Sequence, residues 1–206
     1  MKPFTNRMEA GFALAEKLMK YKNGHCIVLA IPRGGVPVGA VVAKELNLPL
    51  QVWLCKKIGH PFQKEYAIGA VTLSDVYLVP HTDVSDAYIE LETERVRQRL
   101  RNMQQLFSGL CSEASPEGKT VLLVDDGIAT GNTLIAAIRL LKKSKPSRIV
   151  VAVPVASKEA LALMETEADE CICLHTPGFF TGVGAYYEDF AQVTDEEVAE
   201  LLKQNR

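Results

Sequence analysis

The stretch that decides the fold is residues 121–133, which read VLLVDDGIATGNT. Its first four residues are apolar with a β-branched residue at each end, which is typical of a buried strand, and residues 134–141 have the composition of a helix. The acidic and glycine-containing segment between them is therefore predicted to be a loop from a strand into a helix. In an open α/β sheet, such a loop lies at the carboxyl end of a parallel strand, where ligands bind.

The residue types in this loop favour a phosphate ligand. Residues 130–133 offer backbone N–H groups and two hydroxyls at the positive end of the following helix. Asp125 and Asp126 would repel that phosphate, so we expect them to accept hydrogen bonds from hydroxyls or to hold a hydrated Mg²⁺. A phosphate on one side and vicinal hydroxyls on the other describe a ribose 5-phosphate. The alternative is a turn and a helix cap without any ligand, because the same residue types favour those positions for local reasons.

This stretch resembles the signature of the type I phosphoribosyltransferases, in which a hydrophobic strand and two acidic residues precede Ala-Thr-Gly-x-Thr. The resemblance implies transfer of a phosphoribosyl group from 5-phosphoribosyl 1-pyrophosphate (PRPP) to a nucleophile, usually a nucleobase nitrogen, with Mg²⁺ as cofactor. It implies that Asp125 and Asp126 face the ribose hydroxyls and the metal, directly or through water. The residues that it assigns to the 5-phosphate are Ala129, Thr130, Gly131, Asn132 and Thr133.

One position departs from the pattern of some family members. They carry an aspartate where Ala129 stands and assign it a role in proton transfer. Ala129 cannot transfer a proton, so any general base must lie elsewhere or be unnecessary.

The bulk composition predicts one globular domain with small appendages. The chain has 206 residues, 48% of them hydrophobic and 23% charged. Its formal net charge of −2 gives no overall attraction to nucleic acid or to an anionic membrane. The N-terminal residues lack the apolar core of a secretion signal, and no stretch reaches the ~18 apolar residues of a membrane span. We therefore expect a cytoplasmic protein that binds neither nucleic acid nor membrane.

Strand and helix patterns alternate along the chain and predict one mainly parallel, twisted sheet with helices on both faces, a Rossmann-like α/β fold. A flap at about 57–82, with short strands at 67–72 and 76–79, and a hood at about 175–192 are predicted as insertions in a single domain. An ordinary edge hairpin remains an alternative for the flap. The other predicted strands are 26–31, 50–55, 121–124, 149–155 and 171–174, and the predicted helices are 8–20, 36–46, 85–109, 134–141, 158–167 and 195–202.

A second anion-binding loop is expected, because pyrophosphate is the leaving group that the resemblance implies. Pro32 and Arg33 with Gly34 and Gly35 lie between a predicted strand and helix, where glycines let the backbone approach an anion and Arg33 supplies a charge. The alternative is a tight turn with a surface arginine.

Two basic residues and an aromatic segment complete the predicted site. Lys56 and Lys57 follow a predicted strand, where family members often carry a basic residue ahead of a closing loop, and side-chain alternation lets at most one of them reach the ligand. The hood combines aromatics with glycines and could cover the acceptor base, or its aromatics could simply seal the sheet edge. The residues selected for acceptor contact are Phe179, Val183 and Tyr186.

The favoured function is thus a Mg²⁺-dependent phosphoribosyltransferase acting on a nucleobase or related acceptor that the sequence does not identify. The alternative is a regulatory protein on the same fold that senses PRPP or a nucleotide without turnover. A hydrolase with a Gly-x-Ser-x-Gly nucleophile elbow is excluded, because the sequence lacks that motif. By resemblance, we also expect a homodimer.

Overall fold

A five-stranded parallel sheet forms the centre of the protein, with strand order β2-β1-β6-β7-β8. The computed structural model describes residues 3–63, 67–79, 84–112 and 114–205. The strands are β1 (Cys26–Ala30), β2 (Leu50–Val52), β3 (Lys56–Gly59), β4 (Ala67–Val71), β5 (Val76–Leu78), β6 (Thr120–Val124), β7 (Arg148–Val155) and β8 (Glu170–His175). The helices are α1 (Arg7–Lys17), α2 (Gly35–Leu46), α3 (Asp86–Phe107), α4 (Asn132–Lys142), α5 (Lys158–Glu167) and α6 (Asp195–Gln204).

Successive residues of the central strands are buried in two different cores. Val28 and Leu122 pack with α1, α2 and α6 on one face, whereas Leu29 and Leu123 pack with α4 and α5 on the other. The central strands can be apolar throughout because both of their faces are covered. The predicted fold class, a parallel α/β sheet between helices, is confirmed.

The order of the strands reverses between β1 and β6. From β1 the chain crosses to β2 on one side, and from β6 it crosses to β7 on the other. The two strands are in register from Cys26 opposite Thr120 to Ala30 opposite Val124, so their carboxyl ends lie side by side. This reversal is the switch point at which open α/β sheets form a ligand crevice.

Two predicted elements end three residues before their predicted limits. The helix predicted at 8–20 ends at Lys17 and is followed by a 3₁₀ turn at Met19–Tyr21. The strand predicted at 50–55 is wrong beyond Val52, because the chain leaves the central sheet after the Trp53 amide donates to the Ala30 carbonyl. Lys56 and Lys57 therefore begin a new strand.

The residues assigned to the flap form a separate antiparallel sheet in the order β3-β4-β5. This sheet packs against α3 through a small buried core that contains Ile58, Ile68, Val71, Val96 and Leu100. Residues 64–66 and 80–83 of the predicted flap lie outside the described residues.

The segment assigned to the hood is mostly irregular and contains a 3₁₀ turn at Val183–Tyr186. It pairs with the start of the chain, since Phe4 forms a parallel bridge with Tyr187. The Thr194 side chain then caps α6. Among the described residues, no helix has the length and apolar character needed to cross a membrane.

Candidate functional site

The candidate site is formed by the two loops that follow β1 and β6. The Ile31 amide donates to the Val124 carbonyl at 2.9 Å, which joins the two loops where they leave the sheet. An added Cβ at Gly34 would overlap the Asp126 carboxylate, and one at Gly35 would lie 2.8 Å from the Val124 carbonyl oxygen. Both positions therefore require glycine because the acidic loop passes so close.

A cavity of about 520 Å³ lies between these loops. The site residues that the structure brings together around it are Arg33, Gly34, Asp125, Asp126 and Thr133, together with Arg7 and Phe190, which the sequence did not single out. The acidic pair, the arginine of the first loop and the start of α4 thus share one cavity.

The two acidic side chains lie close together in a partly buried position. The Asp126 amide donates to Asp125 Oδ1 at 2.9 Å, and the Tyr187 hydroxyl donates to the Asp126 carbonyl at 2.6 Å. Burial raises the pKa of Asp125, and the neighbouring charge of Asp126 raises this pKa further. Burial also raises the pKa of Asp126, while Arg7 acts in the opposite direction.

Arg7 is the main functional residue that the sequence analysis missed. Its Nε donates to Asp126 Oδ2 at 2.8 Å, although the two residues are 119 positions apart in the chain. The side chains are only 11% and 14% exposed. No pattern in the neighbouring sequence predicts this contact, because Arg7 is simply the first residue of the amphipathic helix α1.

The loop before α4 has the form of an anion site. Gly131 has a positive φ of +79° and lies at the N-cap of the helix that begins at Asn132. The backbone N–H groups of the first helical turn have no acceptor within the helix and can bind an anion there. The Ser157 hydroxyl donates to the Ala129 carbonyl at 2.7 Å and fixes the loop. Ala129 and Thr130 are exposed, whereas Asn132 and Thr133 are partly buried.

Of the two predicted lysines, neither lines this cavity, but Lys56 is near enough to Arg33 for the two charges to interact. Burial lowers its pKa, and the nearby positive charges of Arg33 and Arg99 lower this pKa further. Lys57 follows Lys56 in β3, and adjacent residues of a strand point to opposite faces of the sheet. Arg33 itself lies 4.0 Å from Asp195 at the start of α6.

The three residues selected in the hood have different surroundings. Val183 packs on the acidic loop, since an added Cβ at Gly127 would lie 2.5 Å from Val183 Cγ1. The Tyr186 ring packs against His175 and Phe180, with ring centroids 5.5 and 5.7 Å away. Phe179 is 83% exposed.

A larger cavity of about 730 Å³ lies elsewhere, at the edge strand β2 and the end of α3. Trp53 and Phe107 contribute to its wall, and the indole nitrogen of Trp53 is buried with no hydrogen-bond partner among the described residues. This cavity contains neither anion loop nor the acidic pair, so we place the functional site at the switch point.

The chain is similar to a family of known proteins. Residues 6–188 match the model of the phosphoribosyl transferase domain. A Mycobacterium tuberculosis H37Rv protein, named provisionally as phosphoribosyl transferase Rv0571c, is 37% identical over 98% of this chain and 47% of its own length. An adenine phosphoribosyltransferase of Stutzerimonas stutzeri A1501 is 32% identical over 57% of this chain and 48% of its own length.

Among solved structures, TT1426 from Thermus thermophilus is 40% identical to this chain. The match covers 99% of both chains with a TM-score of 0.89. The chain spans about half the length of the curated relatives it matches. The extent of the domain match shows that the chain belongs to the type I phosphoribosyltransferase family.

Proposed function

We propose that this chain transfers the 5-phosphoribosyl group of PRPP to a nitrogenous acceptor and releases pyrophosphate. The observation that carries this proposal is the common cavity of the two loops. The acidic pair, Arg33 and the start of α4 all line it, so one molecule with a phosphate, a diol and a pyrophosphate could contact all three.

The donor would lie across the switch point. Its 5-phosphate would bind residues 129–133, where helix amides and hydroxyls offer donors without a carboxylate. Its ribose hydroxyls would donate to Asp125 and Asp126. Its pyrophosphate would lie against the backbone of Gly34 and Gly35 and between the charges of Arg33 and Lys56.

The residues present fit the Mg²⁺ that the family implies. Asp125 and Asp126 offer hard oxygen ligands, and the repulsion that raises the pKa of Asp125 is one that a cation would relieve. The described residues contain no cluster of three or more acidic, histidine or cysteine ligands. The acidic pair would therefore hold the ion partly through water, with substrate oxygens as further ligands, which is how Mg²⁺ commonly binds. When bound, the ion supplies charge neutralisation for the leaving pyrophosphate.

The protein's task in this reaction is mainly electrostatic. The C1–O bond to pyrophosphate breaks and leaves a cation-like sugar, which the acceptor nitrogen attacks. Arg33 and Lys56 would stabilise the charge that develops on the departing oxygen, and the acidic pair would keep the ribose in position. Ala129 has no proton to exchange, so another residue or solvent must take the acceptor proton.

For the acceptor, we propose a planar nucleobase, and adenine is the first base to test. The support is the similarity to adenine phosphoribosyltransferases over 57% of the chain. Val183, which packs on the acidic loop, is the best placed of the three hood residues to contact such a base. We also propose a cytoplasmic homodimer as the working form, on the strength of the resemblance alone.

A sensor without turnover is the second candidate. The observation in its favour is Ala129, which cannot provide the acid found at this position in some family members. Arg33 and Lys56 fit both candidates, because a sensor and an enzyme would each have to bind the pyrophosphate of PRPP, so a turnover assay separates the two.

The decisive experiment measures pyrophosphate release from Mg²⁺-PRPP with adenine, the other common nucleobases or no acceptor. We expect release that depends on one acceptor. In the Asp125→Asn, Asp126→Asn double variant, we expect release to fall at least ~100-fold, equivalent to about 2.7 kcal/mol of transition-state stabilisation. PRPP binding without release for any acceptor would favour the sensor, and absence of binding of both PRPP and nucleoside monophosphates by the wild-type chain would refute both.

A further inference from the structure

We propose that Arg7 is a positioning residue for Asp126 and that it couples the acidic pair to the C-terminal segment of residues 186–191. This inference rests on the proposed function, because its consequence lies in the handling of PRPP. It adds Arg7, a residue near the N-terminus, to the site that the sequence predicted.

The guanidinium of Arg7 has three partners that together fix its orientation. Besides the bond to Asp126, its Nη1 donates to the Ala191 carbonyl at 2.8 Å. Its Cζ lies 3.9 Å from the centroid of the Phe190 ring. Because a guanidinium is planar and rigid, holding it at three points also fixes the position of the Nε–H that binds Asp126 Oδ2.

The same segment also holds the backbone of Asp126. Tyr187 donates its hydroxyl to the Asp126 carbonyl, and its ring packs against Phe190 with centroids 5.0 Å apart. The segment is in turn attached to the start of the chain, since the Phe4 amide donates to Tyr186 and the Glu188 amide donates to Phe4. Residues 4–7 and 186–191 therefore form one unit that contacts both the carboxylate and the carbonyl of Asp126.

This arrangement has a chemical consequence for the acidic pair. Two adjacent carboxylates without a counter-ion would repel each other and could turn apart. Arg7 neutralises one charge and occupies Oδ2 of Asp126, so Oδ1 would be the oxygen that accepts a hydrogen bond from a ribose hydroxyl. Without Arg7, the Asp126 carboxylate would no longer be held in this orientation. We therefore expect the rate of transfer to fall more than the affinity for PRPP.

A double-variant cycle tests this mechanism. Arg7→Met, Asp126→Asn and the combined variant are compared by pyrophosphate release with the best acceptor and by calorimetry with Mg²⁺-PRPP. We expect Arg7→Met to lower kcat roughly 10- to 100-fold with less than a ~5-fold change in the KM for PRPP. If Arg7 acts through Asp126, the combined variant is no slower than Asp126→Asn alone. Arg7→Lys, which keeps the charge but lacks the planar guanidinium, should be intermediate.

Arg148→Met is the matched control. It removes another arginine–carboxylate contact, to Glu170 at 2.9 Å, at the amino end of β7 and away from the cavity, so kcat should stay at the wild-type value. If Arg7→Met does not fold, Arg7→Lys takes its place in the cycle.

The outcomes distinguish this inference from the proposed function. A combined variant whose loss equals the product of the two single losses would mean that Arg7 acts independently of Asp126, which overturns the inference. A wild-type chain that does not bind Mg²⁺-PRPP would instead overturn the proposed function.

Discussion

At the scale of single residues, Lys56 has an unusual environment with measurable consequences. Burial and the charges of Arg33 and Arg99 lower the pKa of its ammonium in the folded protein, whereas the unfolded chain keeps the ordinary value of 10.5. Between those two pKa values, the unfolded state binds more protons, so the free energy of unfolding increases as the pH rises through that window. A bound pyrophosphate would oppose this effect by favouring the charged lysine.

We therefore predict two results for Lys56→Met. The rise in unfolding midpoint with pH should become shallower, measured by thermal unfolding from neutral pH to pH ~10. Pyrophosphate should bind roughly 10- to 100-fold more weakly, as expected for the loss of one charge-assisted contact of about 1.5–3 kcal/mol. Lys44→Met, at an exposed position of α2, is the control and should change neither property. Equal pyrophosphate affinity in Lys56→Met and the wild type would remove Lys56 from the site.

Whether the sequence identifies a residue of the site depends on how far along the chain its contact partners lie. Asp125, Asp126, Gly34 and Gly35 belong to short loops whose residue types carry the chemistry, and the structure brings them together. Arg7 lies 119 positions from the carboxylate it binds, and this distance leaves no pattern along the chain. The interaction of Lys56 with Arg33 likewise depends on the folded chain, because the two residues belong to different sheets.

At the scale of elements, the alternation of strands and helices is enough to predict the central sheet. Apolar runs that are buried on both faces identify β1, β6 and β7, and a residue that can cap a helix precedes α3, α5 and α6. The end of β2 was predicted wrongly because apolar residues continue through Leu54 and Cys55 after the chain has left the sheet. Burial alone does not tell which sheet a strand joins.

The contact between the two loops gives a prediction at this scale. In Gly35→Ala, the new methyl group would lie 2.8 Å from the Val124 carbonyl oxygen and 2.9 Å from the Asp125 Cα. Both neighbours are backbone atoms, so the loops must separate, at a cost of about 1–3 kcal/mol. We expect the thermal midpoint to fall by about 2–4 °C for each kcal/mol, with a loss of PRPP affinity. Gly178→Ala is the matched control, because no atom lies within 4 Å of the added carbon and the protein should tolerate it. Unchanged stability and PRPP affinity in Gly35→Ala would contradict the close approach described for these loops.

At the scale of the whole molecule, the proposed site draws residues from two sheets whose buried apolar cores differ in size. The central sheet is covered by large apolar clusters on both faces, whereas β3, β4 and β5 depend on a smaller cluster shared with α3. Lys56 is on the smaller sheet and Arg33 follows the central one, so a pyrophosphate between them would connect the two. The sequence predicted β4 and β5 of the smaller sheet but neither β3 nor this relationship, because both depend on how the chain packs after it leaves the central sheet.

Hydrogen exchange can test this unequal stability. Local opening requires less free energy where fewer apolar contacts are lost, so we expect amides of β4 to exchange through an opening that costs at least ~2 kcal/mol less than the opening of β6. Mg²⁺-PRPP should slow exchange in β3 and at the start of α4, because the ligand stabilises the closed form by RT ln(1 + [L]/Kd), about 2.7 kcal/mol at 100 times Kd. Pyrophosphate alone should protect β3 but not the start of α4, since it lacks the 5-phosphate. Exchange of β4 and β6 with one common free energy would show instead that the two sheets unfold as a single cooperative unit.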